Sequence, residues 1–285
     1  MAHILGQREF WSLAFKVTAD TLDPRPDSET LVQAVLDQVP ERSAPVRLVD
    51  FGTGTGCLLL SLLHELPNAV GLGVDASAAA LAIAAENANA LGLAQRTTFR
   101  RGHWDDGIEP GFDIVLSNPP YIPSGDIPGL QPEVASFEPR LALDGGADGL
   151  DAYRRLGPAA MRLLVSDGLA VLEIGIGQGD SVRRMMAAAH PVGLARTTSA
   201  SASVIVILFH VERHFVVDCD RDGRSSRMFG VLARFAISRS GSLPLLWRWT
   251  QSMCGGAVLG LASLCDWPAF PRARPMVSPD CRKGP

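Results

Sequence analysis

The run VRLVDF at residues 46–51 meets the glycine turn GTGTG at 52–56 and continues as CLLLSLLHEL at 57–66. A short apolar run of strand length, a glycine turn and a longer apolar segment of helix length form a strand–turn–helix unit. The next strand of such a unit returns parallel to the first through the helical crossover. The alternation then recurs. AVGLGVD (69–75), TTFRR (97–101), FDIVLS (112–117), GLAVLEIG (168–175), VGLART (192–197) and SVIVILFH (203–210) are predicted strands. Helices are predicted over 76–92, with Gly92 as C-cap, and over 149–165 and 178–189. The pattern predicts an α/β fold with a mostly parallel, seven-stranded sheet covered by helices on both faces. In such sheets a ligand sits beyond the C-terminal ends of the strands, near the point where strand order reverses.

The motifs fall at those ends. In DFGTGTG (50–56) the glycines allow positive φ and close backbone approach to a ligand, and the following helix aims its free N–H groups there. A dinucleotide fingerprint would need glycine at position 57, which is Cys57. The turn Gly52, Thr53, Gly54, Thr55, Gly56 therefore suits a ligand without a pyrophosphate. Asp75, ending the second strand, is placed to accept hydrogen bonds from two ribose hydroxyls. Trp104, in GHWDD after the third strand, is a candidate to stack on a flat ring, or else a loop tryptophan packed for its area. The fourth strand leaves through Asn118-Pro119-Pro120-Tyr121. Two prolines fix two φ angles and push the preceding residue toward extended backbone. Asn118 is thus held stiffly, either as a rigid loop exit or to present its amide to a substrate.

Residues 1–198 carry 15 Lys+Arg against 24 Asp+Glu, a net of −9, whereas residues 199–285 carry 11 against 6. The last part also holds four of the five cysteines and three of the five tryptophans. An acidic core argues against a nucleic-acid binder. The N-terminus lacks a basic segment followed by an apolar one, so no signal peptide is predicted. Five cysteines without a CxxC pair fit a reducing, cytoplasmic setting. The stretch at 243–265 contains Arg248 and Gln251 and is predicted not to span a membrane.

The glycine turn, Asp75 and Asn118-Pro119-Pro120-Tyr121, in that order, resemble the Rossmann-like class I S-adenosylmethionine-dependent methyltransferases. Asn-Pro-Pro-Tyr in that fold marks enzymes that methylate planar nitrogens. ILGQREFWSLAFKVTADTLDPRPDSET (4–30), FEPRLALDGGADGLDAYRRL (137–156) and LEIGIGQGDSV (172–182) resemble segments of the bacterial release factor glutamine methyltransferases, the PrmC/HemK family. The resemblance covers roughly residues 4–197. It implies S-adenosyl-L-methionine as cofactor and the Gly-Gly-Gln loop of peptide chain release factors as substrate. It implies cofactor contacts at Gly52, Thr53, Gly54, Thr55, Gly56, Asp75, Trp104 and Asn118. It implies catalytic roles for Asn118, Pro119 and Tyr121, and a substrate pocket of Asn118, Pro119, Pro120, Tyr121, Phe15 and Arg25. No metal is implied, and a monomer is favoured.

On this reading residues 1–30 are a linker and substrate-pocket segment, 31–210 a catalytic domain and 211–285 an atypical, poorly ordered tail. The chain is expected to begin after the family's N-terminal helical domain. The shift in composition near residue 198 suggests a frameshifted or fused reading frame. Three rival readings stay open: a DNA adenine methyltransferase, against which the acidic core speaks; a relic that binds cofactor with little activity; and a nicotinamide-dependent oxidoreductase, against which Cys57 in place of glycine speaks. No strong base is evident near Asn118; His64 and His103 read as helix-surface and loop residues.

Overall fold

The computed structural model describes residues 5–189, 195–198, 205–219, 225–232 and 237–238. The chain opens with an antiparallel hairpin, β1 (Gln7–Phe10) and β2 (Leu13–Lys16). Its two turn residues, Trp11 and Ser12, have φ of 53° and 57°, the left-handed pair that matches hairpin twist. A bulky residue at positive φ needs outside support. Trp11 receives it from two carboxylates: its backbone N–H donates to Glu29 (2.8 Å) and its indole N–H to Glu65 (2.9 Å). Helix α1 (Glu29–Gln38) follows a short 3-10 turn, Pro26–Ser28.

The parallel core then builds as β3 (Arg47–Phe51), α2 (Cys57–Glu65), β4 (Val70–Asp75), α3 (Ala78–Ala90), β5 (Thr97–Arg101) and β6 (Phe112–Ser117). Two short helices, α4 (Pro132–Phe137) and α5 (Arg140–Leu143), precede α6 (Asp151–Leu163), β7 (Leu164–Ile174) and α7 (Gly179–Ala189). β8 (Ala195–Thr198), β9 (Ile205–Cys219), β10 (Ser225–Leu232) and β11 (Ile237–Ser238) complete the order.

The strands lie in the order β11-β8-β9-β7-β6-β3-β4-β5, with β10 paired to β9. The run β7-β6-β3-β4-β5 is parallel throughout, and β9 is antiparallel to both β7 and β8. All seven predicted strands are present, and among the described residues β10 and β11 bring the sheet to nine. The last predicted strand continues past residue 210 to Cys219. The apolar stretch at 243–265 and the rest of the expected tail from 239 lie outside the described residues. Among the described residues no helix is long and apolar enough to cross a membrane.

Burial follows the sequence pattern. In β3, Leu48 to Phe51 are all buried, as a central parallel strand requires. Leu58, Leu59, Leu60, Leu62 and Leu63 of α2 are buried under the same face as α1 and the hairpin. Close contact of α2 with the sheet depends on Gly71, where an added Cβ would sit 2.5 Å from Leu59 Cδ1. The chain runs outward from β3 to β5, then crosses to β6 and proceeds the other way. The switch point therefore lies between β3 and β6, beyond Phe51 and Ser117.

Candidate functional site

Each glycine of the first turn has positive φ: 69° at Gly52, 55° at Gly54 and 80° at Gly56. The turn is pinned to the end of β4, because the Gly52 and Thr53 N–H groups both donate to the Val74 carbonyl (2.9 and 3.1 Å). Asp75 completes the clamp. Its carboxylate accepts from the Gly54 N–H (2.9 Å) and from the Ser77 N–H (2.9 Å), where α3 begins. The Thr53 and Thr55 side chains are buried within the turn. Thr53 donates to Asp50 Oδ2 (2.7 Å), and the Thr55 carbonyl accepts from Asn87 (2.9 Å).

A cavity of about 710 Å³ opens in front of this turn, with Phe51, Gly52, Gly54, Asp75, Trp104 and Pro120 among its walls. Such a volume suits a small organic ligand. Trp104, at φ 52°, lies 6.4 Å ring to ring from Phe51. Asn118, Pro119 and Tyr121 stand beside the cavity rather than on its wall. An added Cβ on Gly52 would lie 4.0 Å from the Asn118 carbonyl oxygen.

Around Asn118 the structure assembles a polar cluster that sequence reading missed. The Asn118 Nδ2 donates to Ser28 Oγ (3.0 Å), and Ser28 donates to Glu173 Oε2 (2.6 Å). The Tyr121 hydroxyl reaches Glu173 Oε1 at 3.4 Å, and Tyr153 donates to the Glu173 carbonyl (2.9 Å). Gln178 holds the Tyr121 loop from behind, its amide donating to the carbonyls of Tyr121 (2.8 Å) and Gly149 (3.1 Å).

Two acids in this region are buried. Burial pushes the Asp50 carboxyl up to about 7; the Thr53 hydrogen bond lowers it and neighbouring Asp75 raises it. Among the described residues Asp50 Oδ1 has no hydrogen-bond partner. Burial likewise pushes Glu173 up to about 7, opposed by hydrogen bonds from Ser28, Tyr121 and the Asn118 amide and reinforced by Asp27. One signal for both acids lay in the sequence: LVDFG and VLEIG each place an acid inside an apolar strand, two residues before a glycine. An unpaired acid in such a strand is costly and calls for a reason. Cys57 offers no nucleophile, since burial pushes its thiol up to about 12.

Phe15 is placed elsewhere, whereas Arg25 lies close enough to act on Tyr121. Phe15 is fully buried in the core beneath the hairpin, edge-on to Phe10 (6.2 Å), and does not line the cavity. Alternation along β2 turns it inward, toward α1 and α2. The Arg25 guanidinium pairs with Glu138 (2.9 Å), whose other oxygen accepts from the Asp23 N–H (3.1 Å). It thus ties the segment before α1 to the segment between α4 and α5.

Comparison with known proteins identifies the family. Residues 19–127 match the family model described as the methyltransferase small domain. The chain is 48% identical over 186 residues to the release factor glutamine methyltransferase of Rhodospirillum rubrum, covering 65% of this chain and 57% of that protein. It is 48% identical over 198 residues to the protein of that name from Cereibacter sphaeroides, covering 70% and 68%. With that from Gloeobacter violaceus it shares 41% over 206 residues, covering 72% and 71%. Against the first of these the chain spans little more than half the relative's length. The catalytic domain of hMettl16, solved with a MAT2A 3′UTR hairpin, superposes with a TM-score of 0.56 at 14% identity, over 70% of this chain and 75% of that one. That likeness is one of fold, the class I methyltransferase fold. By sequence identity and by the share of both chains covered, the protein belongs to the release factor glutamine methyltransferase family.

Proposed function

We propose that the protein transfers a methyl group from S-adenosylmethionine to the side-chain amide nitrogen of a protein glutamine, that of the Gly-Gly-Gln loop of peptide chain release factors. The observation that carries this reading is the Asn118 side-chain amide, its nitrogen committed to Ser28, on a residue just after β6 whose backbone carbonyl lies beside the glycine turn. A planar –NH₂ group is best gripped by two acceptors in its own plane. The Asn118 Oδ1 and the Pro119 carbonyl are the pair this loop offers.

The residues on and beneath the cavity wall fit the cofactor. Asp50, not itself on the wall but buried beneath the glycine turn where Thr53 donates to it, keeps a free acceptor, Oδ1, that suits a cationic amino group. Asp75 suits a ribose diol, and Phe51 with Trp104 supplies flat apolar walls. Gly52 and Gly54 allow a ligand to lie against bare backbone. When bound, S-adenosylmethionine supplies a methyl on a cationic sulfur. The residues around Asn118 have three tasks. They hold the amide nitrogen about 3 Å from the methyl and in line with its bond to sulfur. They accept its two hydrogens, which favours positive charge developing on nitrogen. They keep water out, a task for Tyr121 and the two prolines. No strong base is needed at the transfer itself.

The test is mass spectrometry of a purified bacterial release factor after incubation with this protein and S-adenosylmethionine. One added methyl on the glutamine of the Gly-Gly-Gln loop is the expected result. An unmodified loop, with cofactor binding intact by calorimetry, would reject the release factor as substrate.

A further inference from the structure

We infer that Ser28 and Glu173 form a positioning relay that decides which end of the Asn118 amide faces the substrate. The inference deepens the proposed reading and rests on it for the identity of the gripped group. A primary amide is nearly symmetric in shape. Turning it over exchanges an acceptor for a donor at almost no steric cost, so only its hydrogen-bond partners choose the orientation. Ser28 alone does not choose, because a hydroxyl both donates and accepts. Glu173 does. An ionised carboxylate only accepts, so the single Ser28 proton is directed to Oε2 at 2.6 Å. The Ser28 oxygen is then left with lone pairs that only a donor can use. Asn118 meets it with Nδ2 at 3.0 Å, and Oδ1 is turned to the opposite side as an acceptor.

Protonating Glu173 reverses the relay. The carboxyl can donate to Ser28, Ser28 can donate onward, and Asn118 then offers its oxygen inward. The –NH₂ of Asn118 would face the –NH₂ of the substrate, donor against donor. The groups around Glu173 are few. Ser28 and Asp27 approach from the 3-10 turn, Asn118 and Tyr121 from the loop after β6, and Tyr153 from α6. Arg25 acts on Tyr121, and Cys57 of α2 feels the carboxylate. On β9 its register partner is the apolar Val206. The Glu173 carboxyl has its midpoint near neutrality, at about 7, whereas burial and Glu173 itself push the Tyr121 hydroxyl well above its ordinary value.

The experiment follows kcat and KM for methylation of a release factor against pH, in the wild type, Glu173→Gln and Ser28→Ala. In the wild type kcat is expected to fall on the acid side with a midpoint near 7, with KM little changed. Glu173→Gln is neutral throughout and should lose that acid limb. Ser28→Ala should lower kcat about tenfold or more, since the amide loses its orienting partner. An identical acid limb in Glu173→Gln, or wild-type kcat in Ser28→Ala, would overturn the relay. A second readout separates this from the substrate assignment. The Asn118 side-chain ¹⁵N resonance of the protein without substrate should titrate with the Glu173 carboxyl in the wild type, and Ser28→Ala should leave only the smaller direct effect of Glu173 on the amide. An Asn118 signal that ignores the titration would sink the relay even if methylation is observed. A coupled titration would sustain it even if the release factor is not methylated.

Discussion

Replacing Asp50 with asparagine should make the protein more stable in alkaline solution and confer much less advantage in acid. Asp50 is fully buried at the end of β3, and its carboxyl is raised from 3.8 to about 7, first by burial. A folded-state value raised above the unfolded one means the native state binds the proton more tightly. The stability of the wild type is therefore fullest below the unfolded value and is lost as pH rises through about 7. The gap of roughly three pH units corresponds to about 4 kcal/mol, at about 1.4 kcal/mol per unit. About half of it, near 2 kcal/mol, is lost between about pH 5.5 and about pH 8.5. Asparagine keeps the shape and an oxygen for Thr53, which sits 2.7 Å away. Its amide nitrogen takes the place of the orphaned Oδ1 and costs about 1–3 kcal/mol, independent of pH. The assay is urea unfolding of both proteins at the two pH values, with stabilities obtained by linear extrapolation. The difference between variant and wild type should grow by about 2 kcal/mol from the acid to the alkaline condition. Glu173 contributes the same pH dependence to both proteins and cancels. Parallel pH profiles would refute a buried, protonation-coupled Asp50.

Asn118→Ala should leave calorimetric cofactor affinity within about threefold and lower kcat by about two orders of magnitude or more, because the grip acts on the reacting nitrogen. Asp75→Ala should weaken cofactor binding by about tenfold to a hundredfold, the worth of a charge-assisted hydrogen bond. It should also lower the melting temperature, since the Gly54 and Ser77 N–H groups lose their acceptor. Gly149→Ala should disturb the Tyr121 loop. Gly149 has φ of 74°, and a Cβ there would meet the Tyr121 carbonyl oxygen and the Gln178 amide. A loss of about 1–3 kcal/mol in unfolding free energy is the expected outcome, read by denaturant melts.

The parallel core was legible because its strands are buried on both faces. Such strands appear as unbroken apolar runs, and the glycine turns mark where they end. The hairpin at the start was not legible. Its turn is Trp11-Ser12, without the glycine or asparagine that normally announces positive φ, and its supports come from Glu29 and Glu65 far along the chain. The family resemblance identified the segment holding Phe15 and Arg25 but not the direction of either side chain. Strand alternation sends Phe15 to the core, and Glu138, 113 residues away, captures Arg25. The Ser28–Glu173 hydrogen bond spans 145 residues, and no local pattern encodes a contact of that reach.

The two buried acids also bear on why the site lies where it does. Asp50 is on β3 and Glu173 on β7, the strands flanking β6 on either side, and β6 is the strand that ends in Asn118. Among the described residues neither acid has an ion-pair partner. In their ionised forms they cost roughly 4 and 3 kcal/mol, by the same conversion from their raised midpoints. A domain stable by only about 5–15 kcal/mol does not retain two such groups for the sake of folding. Apolar residues of similar size at both positions would give a sturdier sheet. Retention is accounted for if each carboxylate finishes its hydrogen bonding outside the bare sheet. For Asp50 the candidate is a cationic group of the cofactor, and for Glu173 it is the orientation of Asn118 against a substrate amide. Binding would then return part of what burial costs. Cofactor should accordingly stabilise the wild type more at about pH 8.5 than at about pH 5.5, and Asp50→Asn should abolish that difference in thermal melts. Equal cofactor-induced shifts at both pH values in the wild type would mean that the Asp50 carboxylate does not meet the bound cation.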